Sequence, residues 1–358
     1  MPKSCPVDGE ISAMGATHKA MHILRAGTLA LVEVETPAPG EGEVLIQVLA
    51  CGICGADGSA IEGIDPSMQL PRVPGHEVVG RIVAVGAGTS GMWQVGQRVG
   101  VGRLGGHCNL CDQCRQGHFN LCSDQPVMGS SHDGGYAQMM IARATGLVAI
   151  PDELAAVEAA PLLCAGLATF NALHKSGARA GDLVAIQGIG GLGHLAVQYA
   201  KRMGFRVIAI GRGSDIAAHA LELGAHHYID AKVDDPVPLL QQLGRAQVIL
   251  TTITDSAAVS PLIAALAPEG RLVIVGVGRE PLSIMPGALV GGERSVQGTI
   301  TGTPYESEKT LNFSVMTDVR AQIETMPLER AWDAYQRVKS GNVKFRMVLT
   351  MDDRSIAQ

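Results

Sequence analysis

Four cysteines crowd into the stretch GHCNLCDQCRQGHFNLC, at Cys108, Cys111, Cys114 and Cys122. Two-residue gaps let neighbouring thiolates turn back onto one ion, and the longer gap brings a fourth from a returning loop. Four soft thiolates in a tetrahedral array make a closed structural zinc site. A redox role for the CxxC pairs fits less well, because the βαβ context of such motifs is missing around them.

A second stretch, QGIGGLGHLAVQYAKRMG, carries Gly188, Gly190 and Gly193 in GxGxxG spacing. It follows the apolar run LVAIQ and opens an amphipathic helix. Glycines there allow a tight turn, close approach of a pyrophosphate and close helix–strand packing, and the helix N-terminus favours negative charge. The spacing alone is a weak signal, but the flanking strand, the helix and a second strand at RVIAI strengthen the dinucleotide reading. Gly191, Leu192 and Val275 join these as candidate cofactor contacts.

The second strand runs into Gly211, Arg212, Gly213 and Ser214. An NAD site places an acid there to bind the ribose 2′-hydroxyl. No acid precedes Asp215, whereas a cation and a hydroxyl suit a 2′-phosphate, so NADP(H) is favoured over NAD(H). Soft and borderline metal ligands recur at Ile53-Cys54-Gly55-Ala56-Asp57, at Pro74-Gly75-His76-Glu77 and at Leu163-Cys164-Ala165. None of the three persuades by itself, since lone histidines and cysteines usually serve packing.

Short β-rich runs broken by Gly and Pro (44–50, 78–86, 98–102, 147–150) point to a small, partly antiparallel β domain up to about Pro151. A helix is expected over about Pro161–Lys175. Strands at 183–187, 206–210, 247–251 and 271–276 then alternate with helices, the pattern of a doubly wound parallel sheet. Beyond about Ile300 the alternation stops, leaving a helix near Leu328–Ser340 and a last strand at 345–351. The 358 residues suit about two domains. The 46% hydrophobic content excludes a mainly disordered chain. With a net charge of −6, nucleic-acid binding is not expected. The longest uncharged run, 183–200, contains four glycines and reads as strand–turn–helix, so no membrane span is expected. Residues 1–18 hold no apolar h-region and read as a leader segment, and the cysteines as cytoplasmic thiols or metal ligands. Cys5 and Cys51 have no assigned role.

In this order and spacing, GHE at 75–77, the four-cysteine lobe, LLCAG at 162–166 and GIGGLG resemble the zinc-dependent medium-chain alcohol dehydrogenases, bacterial members included. The resemblance runs from about residue 19 nearly to the end. It implies an α/β chain with a GroES-like, β-rich catalytic domain (19–162 and 301–358) and an inserted Rossmann-fold cofactor domain (163–300). It also implies two zinc ions, a small-molecule substrate and a homo-oligomer, dimeric or tetrameric. The family's catalytic zinc ligands fall on Cys54, His76 and Cys164. Glu77 matches the carboxylate beside the zinc, Asp57 the acid that orients the ligating histidine, and Arg346 an arginine at the cofactor pyrophosphate. Two thiolates and a neutral imidazole would balance the ion's charge and leave a fourth position open.

Three substrate-pocket positions depart from the pattern. The relay hydroxyl two residues after the first zinc-ligand cysteine is Ala56, the relay histidine beyond it is Ser59, and an often aromatic position is Arg103. Bound water could carry the proton instead, with Arg103 pointing elsewhere. The sharper reading is impaired oxidation of ordinary alcohols, with an anionic substrate or a polarised C=C or C=N acceptor. The leading expectation is hydride transfer between NADP(H) and an alcohol, aldehyde or ketone. An NADPH-dependent reductase of activated C=C or C=N bonds on the same scaffold, and a non-catalytic nucleotide-binding or structural homologue, are the alternatives.

Overall fold

The computed structural model describes residues 17–64 and 68–351. Cys5 and residues 1–16 of the expected leader lie outside that range, while Thr17 and His18 already belong to the first strand. The strands in chain order are β1 (Thr17–Arg25), β2 (Thr28–Glu35), β3 (Glu43–Ile53), β4 (Val78–Val85), β5 (Arg98–Val101), β6 (Met139–Arg143), β7 (Leu147–Ala149), β8 (Leu183–Gln187), β9 (Arg206–Gly211), β10 (His227–Asp230), β11 (Ala246–Thr251), β12 (Leu266–Ile274), β13 (Ser295–Gly298), β14 (Ile323–Pro327) and β15 (Arg346–Thr350).

Strands from both ends of the chain share one sheet, ordered β14-β15-β3-β4-β5-β7, with β6 also on β3. Its pairs are antiparallel except β14–β15. β15 sets Met347 opposite Ile53. That register brings residue 346 beside residue 54, and it is the reason the far end of the chain takes part in the site.

Residues 183–298 form a six-stranded, all-parallel sheet ordered β10-β9-β8-β11-β12-β13. Every residue of β8 is buried. A parallel sheet covered on both faces demands such unbroken apolar runs, which is why LVAIQ and RVIAI do not alternate with polar residues. Counted from β8, the strand order is 3-2-1-4-5-6, and it reverses between β8 and β11. Ligands bind at such a switch point, beyond the carboxyl ends of the strands.

The helix expected over Pro161–Lys175 is broken. A 3-10 turn covers Ala160–Leu163, and an α-helix resumes at Ala165 and runs to His174. Between them Cys164 has φ −126° and ψ −72°, outside helical geometry. The break turns the Cys164 thiol out of the helical path. After Ile300 a helix at Pro304–Thr317 and the strand β14, neither foreseen from periodicity, precede the expected helix, which spans Ala331–Lys339. Among the described residues no single helix is long and apolar enough to cross a membrane.

Candidate active site

Cys54 follows β3, His76 and Glu77 precede β4, and Cys164 sits in the helix break. Their ligand atoms lie within 4.8 Å of one another, and all four residues are buried. His76 Nδ1 is 2.7 Å from Asp57 Oδ1. The other oxygen of Asp57 accepts from the Cys54 backbone N–H and from the Tyr136 hydroxyl, each at 2.9 Å. A carboxylate on Nδ1 selects the tautomer whose Nε2 lone pair is free. Nε2 is buried with no hydrogen-bond partner among the described residues. A buried, unpartnered lone pair facing two thiols and a carboxylate is the donor set of a divalent soft or borderline cation.

The electrostatics agree. A hydrogen bond from Cys164 lowers the Cys54 pKa well below the usual thiol range, against burial, and Cys164 is pushed up correspondingly. Burial opposes charge on His76, yet Asp57 and Cys54 outweigh it and raise its pKa to about 10. The pocket thus calls for positive charge. Burial raises Glu77 to about 7 despite Arg346, which donates to its carboxylate. Gly52 makes room for that carboxylate, since a Cβ there would come within 1.9 Å of Glu77 Oε2.

In the cysteine lobe the Sγ atoms of Cys108–Cys114, Cys111–Cys122 and Cys108–Cys122 stand 4.0, 3.9 and 3.6 Å apart. A tetrahedron with metal–sulfur bonds of ~2.3 Å has sulfurs ~3.8 Å apart, whereas a disulfide needs ~2.05 Å. The spacing fits a four-thiolate ion site and no disulfide. Cys51, in contrast, is a buried packing thiol whose pKa burial raises.

The GxGxxG glycines divide their work. Gly188 has φ +90°, a conformation that favours glycine, and a Cβ on Gly193 would lie 1.7 Å from the Gly188 carbonyl oxygen. A Cβ on Gly190 would meet only open space. That space is a cleft of about 700 Å³, lined by Gly190, Gly191, Leu192, Gly211, Arg212 and Arg346 among others. Its backbone cradle and size suit a dinucleotide. Ser214 is exposed just beyond Arg212. Val275 instead lines a separate cleft of about 320 Å³ with Gly276 and Thr299. At Gly211 any side chain would meet Tyr228, whose hydroxyl would lie 2.5 Å from the Cβ. A side chain at this position would need Tyr228 to shift, and the acid that lines the cleft is Asp215, beyond Arg212.

Ala56 caps the short helix Asp57–Ile61, and Ser59 is exposed on it. Arg103 is half-buried two residues beyond β5. Its neighbour Gly102 abuts the Leu163 carbonyl, next to Cys164. Among the described residues the Arg103 guanidinium has no hydrogen bond or ion pair. Tyr136, Gly52 and His194 emerged only from the structure. Tyr136 lies 79 residues from its partner Asp57, and no local pattern links them.

Residues 40–152 match the alcohol dehydrogenase GroES-like domain, and residues 191–315 the zinc-binding dehydrogenase family. The alcohol dehydrogenase notN of Aspergillus sp. (strain MF297-2) is 42% identical over 315 residues, 88% of this chain and 92% of the relative. Acetophenone reductase from Geotrichum candidum, solved in complex with NAD, superposes with a TM-score of 0.84 at 27% identity, covering 93% of this chain and 97% of that one. CAD from Helicobacter pylori, complexed with NADP(H), gives 0.82 at 26% identity over 94% and 99%. The chain belongs to the zinc-dependent medium-chain alcohol dehydrogenase family, with a GroES-like domain joined to a Rossmann-like nucleotide-binding domain. It is an oxidoreductase of that type, and zinc and a nicotinamide dinucleotide are the family's cofactors.

Proposed function

We propose that the chain transfers a hydride between NADP(H) and an alcohol, aldehyde or ketone. Cys54, His76 and Cys164, with Glu77 beside them, would hold the catalytic zinc, and Cys108, Cys111, Cys114 and Cys122 a structural one. The observation that carries this reading is the buried Cys54–His76–Glu77–Cys164 cluster, joined through Arg346 to the cleft that begins at the phosphate turn. When bound, zinc would supply Lewis-acid polarisation of the substrate oxygen. Asp57 keeps the His76 ring in the ligating tautomer, and Tyr136 fixes Asp57. Gly188–Gly193 would cradle the pyrophosphate with Arg346 as its counter-charge, while Arg212 and Ser214 would meet the 2′-phosphate. Gly211 in place of an acid, with Arg212 in the lining of the same cleft, supports NADP(H) over NAD(H).

A second reading, reduction of an activated C=C or C=N bond, is favoured by Ala56, which puts no hydroxyl two residues after Cys54. Arg103, unpaired among the described residues and lining a small cavity with Leu163, favours an anionic substrate in either case. A reducing compartment such as the cytoplasm suits the seven described cysteines, all of them thiols. A homo-oligomer is supported by the edge strand β13, flanked by the exposed Val277, Met285, Val290 and Ile300.

Steady-state kinetics with NADPH and NADH over an aldehyde, ketone, enal and imine panel test the reading, alongside a chelator-stripped control and metal content per chain. Two zincs and NADPH-dependent carbonyl reduction are expected. One zinc per chain without turnover would favour the non-catalytic homologue, and none would overturn the metal assignment.

A further inference from the structure

His194 opens the helix Gly193–Arg202 directly after the phosphate turn, and it is fully buried. Its Nδ1 is 3.2 Å from the carbonyl oxygen of Gly190, within the turn. Its Nε2 accepts the Gln322 backbone N–H at 3.3 Å. The carbonyl of Gln322 accepts the Arg346 N–H at 3.1 Å. The guanidinium of Arg346 then meets Glu77 in the metal-ligand cluster. Three hydrogen bonds therefore tie the phosphate turn, through one imidazole and the Gln322 backbone, to the backbone of Arg346, whose side chain reaches the candidate zinc site.

An ordinary core histidine needs only to be satisfied. The two ring nitrogens of His194 are spent instead on the phosphate turn and on Gln322, which holds the Arg346 backbone, while its face stacks on the cleft residue Phe345, centroids 4.6 Å apart. One neutral tautomer serves both bonds, because Nδ1 faces a carbonyl and Nε2 faces an N–H. Burial, and then the Arg346 charge, push its pKa down to about 3, so the ring keeps that tautomer at neutral pH. One turn along the helix, Gln198 donates to the Arg320 carbonyl at 2.9 Å and accepts the Arg320 N–H at 3.3 Å. Helix and 320–322 segment are thus keyed at two successive points.

We propose that His194 is a positioning residue that locks the phosphate turn to the β15 segment, so that Arg346 is preset at the pyrophosphate position while it holds Glu77. The inference rests on the dinucleotide reading of the cleft. Calorimetric titration of the zinc-loaded protein with NADP+, together with separate KM values for cofactor and alcohol, tests it. His194→Phe keeps the ring volume and the stack but removes both nitrogens, and His194→Gln keeps one donor and one acceptor. The Phe variant is expected to bind NADP+ about tenfold or more weakly. Its cofactor KM should rise with little change in alcohol KM or zinc content, and the Gln variant should recover most of the loss. NADP+ affinity within twofold of the parent in the Phe variant, or a Gln variant no better than the Phe one, would overturn the proposal. Should the Phe variant not fold, Gln198→Leu carries the same expectation and is overturned by unchanged affinity. A parent that binds neither NADP+ nor NAD+ defeats the dinucleotide reading itself, a result distinct from unaltered affinity in the variants.

Discussion

Arg346 donates from Nη2 to Glu77 at 2.5 Å, joining residues 269 positions apart in the chain, and neither side chain is more than 4% exposed. Its Nη1 would stand 3.0 Å from a Cβ on Gly191. One guanidinium therefore faces both the metal-ligand cluster and the phosphate turn. A planar fork can serve two partners at fixed angles, which an ammonium cannot.

Replacing Arg346 by Leu should leave Glu77 buried without its partner. Breaking a buried pair costs about 3–5 kcal/mol, so the variant should unfold at clearly lower denaturant concentration. Arg346→Lys should recover part of that stability yet bind NADP+ more weakly than the parent. Chemical denaturation and calorimetric titration of the three proteins check this. Equal stability of parent and Leu variant would remove the pair from any structural role.

The cysteine lobe should behave as a separable unit. Cys111→Ser should remove one zinc of two, measured by mass-spectrometric metal analysis, and lower the melting temperature. The Cys54–His76–Cys164 site should keep its ion, because no lobe residue takes part in that cluster. A variant that still carries two zincs would contradict the assignment of these thiols.

The sequence already discloses whatever local pattern encodes. The four-cysteine lobe is a contiguous motif, and the S···S distances follow from its spacing. The parallel strands are readable because β8 and β9 are buried on both faces, and the phosphate turn because its glycines serve backbone geometry within six residues. Long-range relations are not legible in this way. The Arg346–Glu77 pair depends on the β15–β3 register, and the role of Tyr136 on folding across from Asp57. The helix break at Cys164 is not legible because residues 161–168 around it are uniformly apolar, and periodicity cannot report a single non-helical φ/ψ pair. The helix Pro304–Thr317 was missed although Thr303 and Glu306 cap it as Thr-x-x-Glu, a signal that local reading could have used.

Cofactor preference should turn on Arg212. It lines the cleft, is exposed, and stands where the second strand of the parallel sheet ends. Arg212→Ala should raise the KM for NADPH about tenfold, the loss of one charge-assisted hydrogen bond, and leave the KM for NADH within twofold. An equal rise for both cofactors would show that Arg212 serves the shared part of the dinucleotide. No rise for either would place the 2′-phosphate elsewhere.

The proposed choice between substrate classes can be tested at Ala56. It begins the helix that carries Asp57, between the ligand Cys54 and the exposed Ser59, and its methyl group can neither donate nor accept a proton. General acid–base assistance is typically worth 10²–10⁴-fold. If carbonyl reduction is the reaction and its proton is poorly supplied, Ala56→Ser or Ala56→Thr should raise kcat with simple aldehydes at least tenfold, with cofactor KM unchanged. The same variants should gain nothing in reduction of the C=C bond of an enal, where hydride goes to the β-carbon and the proton to the α-carbon rather than to oxygen. A parent with ordinary aldehyde turnover and no gain on substitution would show that water relays the proton. Ala56 would then be a neutral replacement, and simple alcohols and aldehydes would return as the natural substrates.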